Sequence, residues 1–532
     1  MTTPGIRRSI ADIQADYEAG NKTELENLMR AWRGIKALPP SDPNSFFMLG
    51  GFHGEPFRGP GAYANAWWGG YCQHGTVLFP TWHRVYLWKL EQALQSIEGC
   101  ESVMLPFWDE CARSSQDNGI PGALTWEKFE LDGELIDNPL RSFVLPVAIV
   151  DQVQQDTTSD PNSPSYSKPQ GYETRRYPLS GLVGTPADQQ ATNDHNAGFP
   201  NYAANVKTLD ANIMAWLTMP VQGSKNGQPY ERGLVVSKFH DCLDAPTYTL
   251  FSNTTSMGAW NTANPTQPVV ALESPHNYIH LAVGGFDIPT YNASPIGGAN
   301  GDMGENDTAA LDPIFYFHHC FIDYTFWIWQ RRQGTTQGFA IDMEDPGASY
   351  ANNQPPAGAN PGDQLTMTTP LIPFARADGS YYVSNDCVDI EGQLSYTYGP
   401  GSLDDFATPA KLAMLAADDT PTKQVRVGGI DRSKIAGSFI IAAYAPDAEG
   451  THRLVGAEAV LSRWNVTGCA NCNTRLRAGS EFRVAAASAW NVQVVIHTRN
   501  GPIGKVPPNF KSAGQLRATA TQVDVPFTVQ VV

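Results

Sequence analysis

Seven of the eleven histidines in this 532-residue chain stand in helical or helix-terminal stretches with apolar neighbours: His53, His74, His83, His276, His280, His318 and His319. The other four, His195, His240, His452 and His497, are scattered and read as ordinary surface or structural residues. An imidazole that points into a hydrophobic interior needs a partner. A single core histidine usually finds it in a hydrogen bond. Two on one helix face can share an ion instead, and His276 and His280, four residues apart, share a face. His74 and His83 stand nine residues apart, with Cys72 just before the first. A donor set of imidazoles, with no carboxylate in the obvious positions, suits zinc, copper, iron or nickel over magnesium or calcium. Catalytic zinc usually keeps three protein ligands and a water. Two adjacent sets of three neutral ligands leave a pocket that holds a positive metal pair and favours a small anionic ligand between the metals. A dizinc hydrolase is disfavoured, because it would draw on carboxylate bridges.

Helices must position these side chains. Tyr86, Leu87, Leu90 and Leu94 recur at three- and four-residue spacing, so the segment after Pro80 reads as an amphipathic helix with His83 in its first turn. Ser41-Asp42-Pro43 resembles an earlier helix start, Asp42 as cap and Pro43 at the first position, and Gly50, Gly51 and Gly54 mark its end around His53. Pro275 opens the helix of His276 and His280. Asp312 and Pro313 open the one that carries His318 and His319 through Trp327 and Trp329. Residues 9–35 read as one or two further helices, and the polar stretch 151–230 as long surface loops around short elements. Tyr396-Thr397-Tyr398 is strand-like, with both rings on one face. Residues 401–425 read as a linker. From 426 onward the pattern has period two, as in Phe439–Tyr444, Val492–Ile496 and Val525–Val531, which predicts a β-sandwich.

Bulk composition narrows the partners. The chain is 42% hydrophobic and 17% charged, with 48 glycines and 40 prolines, as expected of a globular protein rich in loops. A net charge of −17 argues against nucleic acid and anionic membranes, which would repel it. No apolar run is long enough for a transmembrane helix. The first residues show no secretory h-region, so cytoplasmic location is the default expectation, and export with a carrier partner would leave no trace. Eight cysteines in a chain of this length are too few and too scattered for a disulfide scaffold.

Taken together, Cys72-x-His74, the step to His83-Arg84, His276-x-x-x-His280, and Asp312-Pro313-Ile314-Phe315-x-x-His318-His319-x-x-x-Asp323 resemble the two copper motifs of the type-3 copper proteins, most nearly the tyrosinase and polyphenol oxidase family. The resemblance runs from about residue 50 to about residue 400, with further correspondence in the C-terminal part. It implies two copper ions, with O2 as co-substrate. His53, His74 and His83 would hold the first, and His276, His280 and His319 the second; of the adjacent pair the family's ligand is the second member, which leaves His318 outside the set. Asp323, one turn after His319, is expected to help anchor a ligand imidazole. Cys72 is implied to form a thioether to the ring of His74, which no helix orients; the alternative is a small buried hydrophobe. Phe315 is expected against the ligand rings, and Phe315, Asn306 and Met303 in the substrate pocket. Two positions depart from the family: Tyr324 where it usually has Arg, and Asn306 where it often has Val or Phe.

Glu273 and Asn277 resemble the pair that in many tyrosinases holds a water and accepts a phenol's proton. A carboxylate with an amide neighbour can act as a general base; the alternative for Glu273 is a first-turn acid favoured by the helix dipole. Val455–Leu461 and Cys469-Ala470-Asn471-Cys472 resemble the C-terminal domain of fungal-type pro-tyrosinases. There an aromatic residue plugs the active site and a C-x-x-C helps load copper. Leu461 stands at the plug position here and Trp464 nearby; Cys469 and Cys472 suit soft Cu(I) or a disulfide. Tyr396 and Tyr398 match the tyrosine motif that closes the family's catalytic domain, with Arg7 or Arg8 as partner. The expectation is thus a mainly α catalytic domain over 1–400 with a four-helix-bundle dicopper core, a linker over 401–425, and a covering β-sandwich over 426–532. The expected function is a latent tyrosinase acting on a small phenol, with homo-oligomer formation left open. The alternatives are a catechol or o-aminophenol oxidase without monophenolase activity and a hemocyanin-like O2 binder.

Overall fold

The computed structural model describes residues 3–54, 70–150, 167–181, 186–225, 228–286, 301–350, 360, 362–408, 422–463, 475–499, 501–507 and 525–532. Four helices carry histidines of the predicted ligand set: α1 (Phe46–His53), α2 (Phe79–Gln95), α3 (Glu273–Gly284) and α4 (Ile314–Gln333). Helix α1 begins later than the expected Asp42 cap. Ser45 takes that role in extended backbone, its hydroxyl accepting from Met48 N at 3.1 Å, while Asp42 accepts from Asn44 N in the preceding turn. In α2 the predicted stripe of Tyr86, Leu87, Leu90 and Leu94 is buried. Helix α3 is buried at every position and starts two residues before Pro275. Helix α4 starts after Pro313; Asp312 Oδ1 accepts from Ile314 N at 3.2 Å, and Gly334 closes it in the left-handed region at φ 68°.

A buried ionic joint locks α2 to α4. Asp323 accepts from Arg84 Nε at 2.5 Å, Tyr396 Oη at 2.5 Å and Tyr398 Oη at 2.6 Å. Arg7 donates to Glu91 at 2.9 Å and to Asp323 at 3.4 Å, with its guanidinium 3.5 Å over the Tyr396 ring. The strand Gly5–Arg7 pairs in parallel with Tyr396–Tyr398. Arg7 is therefore the N-terminal partner, and Arg8 turns outward to Asp16 and Glu24.

The reading of 151–230 as loops is corrected. Its described part includes helices Pro186–Ala197 and Tyr202–Thr218 and the hairpin Pro220–Lys225 with Gln228–Gly233. Leu209, Ile213, Trp216 and Leu217 form the buried stripe of the second helix. Asn212, a polar letter inside that stripe, is itself buried and donates to Ala282 O and Phe286 O at the end of α3. A core asparagine that satisfies backbone carbonyls breaks the apolar period on paper but not in space.

The C-terminal part forms two sheets. Strands β1 (Thr422–Asp431), β4 (Arg477–Ala485) and β7 (Thr528–Val531) make one, in the order β4-β1-β7. Strands β2 (Phe439–Pro446), β3 (His452–Val460), β5 (Gln493–Thr498) and β6 (Gly501–Ile503) make the other, in the order β3-β2-β5-β6. Phe439, Ile441 and Ala443 of β2 face the first sheet, alongside Val425, Val427, Phe482 and Ile496. Ile440, Ala442 and Tyr444, on the opposite face, join the core of the helical part. Central strand β2 is thus buried on both faces, which explains its unbroken apolar run. Among the described residues no helix is long and apolar enough to cross a membrane.

Candidate metal centre

The spacing of His276 and His280 on α3 aims both rings at α4. His319 Nε2 lies 3.2 Å from His276 Nε2 and 3.2 Å from His280 Nε2. Nitrogens bound to one ion at about 2 Å come to rest at about this separation. Each α3 imidazole is fixed from behind through Nδ1, His276 by Asn277 Oδ1 at 3.0 Å and His280 by the Met303 carbonyl at 2.8 Å. Such partners set the tautomer and leave the Nε2 lone pair facing inward. His318, the neighbour on α4, shares a 2.5 Å hydrogen bond through Nδ1 with Glu110 Oε1, although one of its nitrogens also lies within 4.8 Å of donor nitrogens of His276, His280 and His319.

The other trio comes from different kinds of backbone. His53 is the last residue of α1, His83 lies in the second turn of α2, and His74 sits in a turn between them. His83 Nδ1 is held by the Phe79 carbonyl at 2.8 Å and His53 Nδ1 by the Asn306 carbonyl at 3.3 Å. The Nε2 atoms of His53, His74 and His83 are all buried without a hydrogen-bond partner. The Cys72 sulfur and donor nitrogens of His53 and His74 cluster within 4.8 Å of one another. Asn306 Nδ2 donates to Cys72 Sγ at 3.4 Å.

The two trios face each other. The rings of His83 and His319 stack with centroids 4.5 Å apart, and those of His74 and His276 are 5.3 Å apart. Phe315 closes the rear, stacked 4.0 Å from His319 and edge-on to His53 at 4.8 Å. Burial pushes all six imidazoles down, His83 to about 3 and His280 to about 4, and neighbouring imidazoles push all but His280 further. They are neutral at physiological pH, as metal binding requires. Six neutral nitrogens, three orphaned and three converged, fit a pair of copper ions by donor chemistry.

Glu273, the first residue of α3, is 3% exposed and reaches across to the His74 turn. Its Oε1 accepts from Gly75 N at 2.9 Å, and its Oε2 from Thr254 N at 2.9 Å and Thr254 Oγ1 at 3.0 Å. A carboxylate has about four acceptor positions. Three are taken, and the remaining one, on Oε1, is free for a proton. Burial raises the Glu273 pKa above the ordinary glutamate value, against the pull of these donors and of Arg432. A cavity of about 1270 Å³ opens beside it, lined by His74, Gly75, Glu273, Asn277 and Leu461 and continuing between the helical part and the sheets.

Several expected roles change. Asp323 does not anchor a ligand imidazole; its oxygens are taken by Arg84, Arg7, Tyr396 and Tyr398. Tyr324 Oη instead meets Asp404 at 3.2 Å. Phe315, Asn306 and Met303 do not line the open cavity: Phe315 packs behind the ligand rings, Met303 serves through its carbonyl, and Asn306 through its carbonyl and its amide on Cys72. Leu461 lines the cavity and is buried, its carbonyl accepting from Arg432 at 3.2 Å. Trp464, Cys469 and Cys472 lie outside the described residues. Glu110 and the carbonyls of Phe79, Met303 and Asn306 were not visible in sequence: backbone acceptors carry no signature, and Glu110 lies 208 residues from His318.

Comparison with known proteins agrees with this geometry. Residues 43–332 match the family model described as the common central domain of tyrosinase. The chain is 49% identical over 506 residues to the tyrosinase HcTyr2 of Hahella sp., covering 91% of this chain and 89% of that one. It is 41% identical over 539 residues to a tyrosinase of Aspergillus oryzae, covering 95% of each. Among solved structures, a tyrosinase from Burkholderia thailandensis superposes with a TM-score of 0.80 at 47% identity, covering 99% of this chain and all of that one.

Proposed function

This chain belongs to the tyrosinase family, and from that premise we propose that it hydroxylates monophenols to o-diphenols and oxidises these to o-quinones at a pair of copper ions, with O2 as co-substrate. The observation that carries the reading is the pair of facing, neutral imidazole trios, with His53, His83, His276 and His280 held from behind through Nδ1. Family membership puts the chain among enzymes and leaves no support for the oxygen-carrier alternative.

A copper pair held by His53, His74 and His83 on one side and by His276, His280 and His319 on the other would supply the O2 activation that side chains lack. The chain's own residues do the rest. The cavity admits a phenol past His74, Gly75 and Asn277. Glu273 takes the phenolic proton on the free position of Oε1; its raised pKa makes its carboxylate a stronger base than an ordinary one. The hydrogen bond from Gly75 N holds the same carboxylate against the His74 turn, so proton acceptor and ligand keep a fixed spacing. Asn277 orients His276. Leu461 and strands β2 and β3 lie over the cavity, which supports a latent form.

The test is O2 uptake by copper-loaded protein on a monophenol and on a catechol, with copper counted per chain. Two coppers and turnover of both substrates are expected; turnover of the catechol alone would make the protein a catechol oxidase. In Glu273→Gln, monophenol hydroxylation should slow while diphenol oxidation is spared, and equal losses would remove the base assignment. Cleavage after residue 408 should raise the rate per bound copper on bulky phenols, and an unchanged rate would remove latency.

A further inference from the structure

Residues 303–307 serve both trios at once. The Met303 carbonyl holds His280 at 2.8 Å, the Asn306 carbonyl holds His53 at 3.3 Å, and Asn306 Nδ2 reaches Cys72 at 3.4 Å. On the helical side the segment is packed to backbone contact, since a Cβ on Gly284 would stand 1.7 Å from Gly304 N and one on Gly54 would stand 2.2 Å from Asp307 O. Its other side belongs to the sheets. Asn306 N donates to Ser462 O at 3.1 Å, and Ser438 Oγ donates to Gly304 O at 2.7 Å while accepting from Ser462 N at 2.9 Å. Arg463 Nε donates to Asp307 Oδ1 at 2.6 Å, with side chains 1% and 5% exposed.

A second grip falls on α3. Ser274 Oγ donates to Glu458 Oε1 at 2.8 Å, Lys238 reaches Glu458 Oε2 at 3.1 Å, and Tyr278 Oη donates to the Ala457 carbonyl. Ser274 and Tyr278 flank His276 by two residues on either side.

We infer that the C-terminal sheets act on the metal centre as a positioning element, holding residues 303–307 and α3 in the register that aims His53, His280 and His276. The inference rests on the dicopper reading. The coupling is reciprocal: whatever the docked sheets add to copper affinity, bound copper adds to their docking. Partners that orient ligand imidazoles are worth about 10–100-fold in metal affinity. Ser438 and Arg463 are the positioning residues; they hold Gly304 and Asp307, the neighbours of the residues whose carbonyls meet His280 and His53.

The experiment uses full-length, copper-loaded protein challenged with a Cu(I) chelator, with copper per chain followed over time, the Tm of metal-free protein measured, and hydrogen exchange of residues 303–307 recorded. Arg463→Met should release copper about tenfold faster, and Arg463→Lys should recover part of the difference. Ser438→Ala removes the bond to Gly304 without leaving a buried charge, so it covers the case in which Arg463→Met fails to fold. It should raise exchange at 303–307 and speed copper release with little change in metal-free Tm. Copper loading of the unmodified protein should slow exchange at 303–307 and 438–463. Faster exchange at 303–307 in Ser438→Ala with copper release at the unmodified rate would overturn the inference. Unmodified protein that never takes up two coppers would overturn the dicopper reading itself, a different failure.

Discussion

The two imidazole trios solve the same problem with different backbone. His276, His280 and His319 stand on two packed helices, and the Nε2 atoms of His276 and His280 each lie 3.2 Å from that of His319. His53, His74 and His83 come from a helix end, a turn and a helix, and nothing local aligns them. That trio depends on ties from afar, Glu273 on Gly75 and Asn306 on Cys72 and His53, while His83 leans on the Phe79 carbonyl of its own helix. A site built from helices is largely ready when the helices pack. A site that borrows a turn must import its rigidity.

The largest expected effect tests the point where the trios meet. His319→Ala removes a ligand and also the ring stacked on His83 and Phe315. Copper should fall from two to one per chain and turnover by about 10³-fold or more, measured by metal analysis and O2 uptake; retention of two coppers would contradict the assignment.

Next comes the joint beneath both trios. Asp323→Asn weakens the link of α2 to α4, and breaking a buried ion pair costs about 3–5 kcal/mol, readable by denaturant unfolding. Burial alone would raise the Asp323 pKa, but Arg84 and Arg7 hold it below the ordinary aspartate value. Its contribution is therefore complete above the unfolded-state pKa and is lost as pH falls through the lower folded value. The unmodified protein should lose stability in acid more steeply than Asp323→Asn, and parallel curves would refute this.

The comparison is sharpest at Gly75, which has φ 72° beside His74. Gly75→Ala adds about 1–2 kcal/mol of backbone strain to the turn-borne trio alone. Its copper should be released about tenfold faster with the other site unaffected; equal release from both sites would erase the distinction. Smallest is Asn277→Ala, which removes the partner of His276. Copper affinity at the helical trio should drop by about tenfold or less in chelator titration, and a drop at the other trio instead would reverse the picture.

Helical spacing made α2, α3 and α4 readable, because apolar stripes and proline or aspartate starts are local signals. The sandwich was readable from period two. Asn212 hid a helix by occupying a core position with a polar side chain, and Ser45 captured a start that Asp42-Pro43 announced. At the centre, the histidines were legible as types at spacings, whereas their supports were not. The carbonyls of Met303, Asn306 and Phe79 belong to no residue type, and Asp323 was claimed by tyrosines and arginines that fold in from both ends of the chain.

Strand β2 has no solvent face, and this governs what uncovering the centre would entail. Separating the sheets from the helices would bare Ile440, Ala442, Tyr444, Leu454 and Val495 as one greasy panel. A panel of that kind invites self-association and precipitation. A released cover is therefore a poor candidate for a soluble, reusable cap, and its removal is best suited to a one-way event.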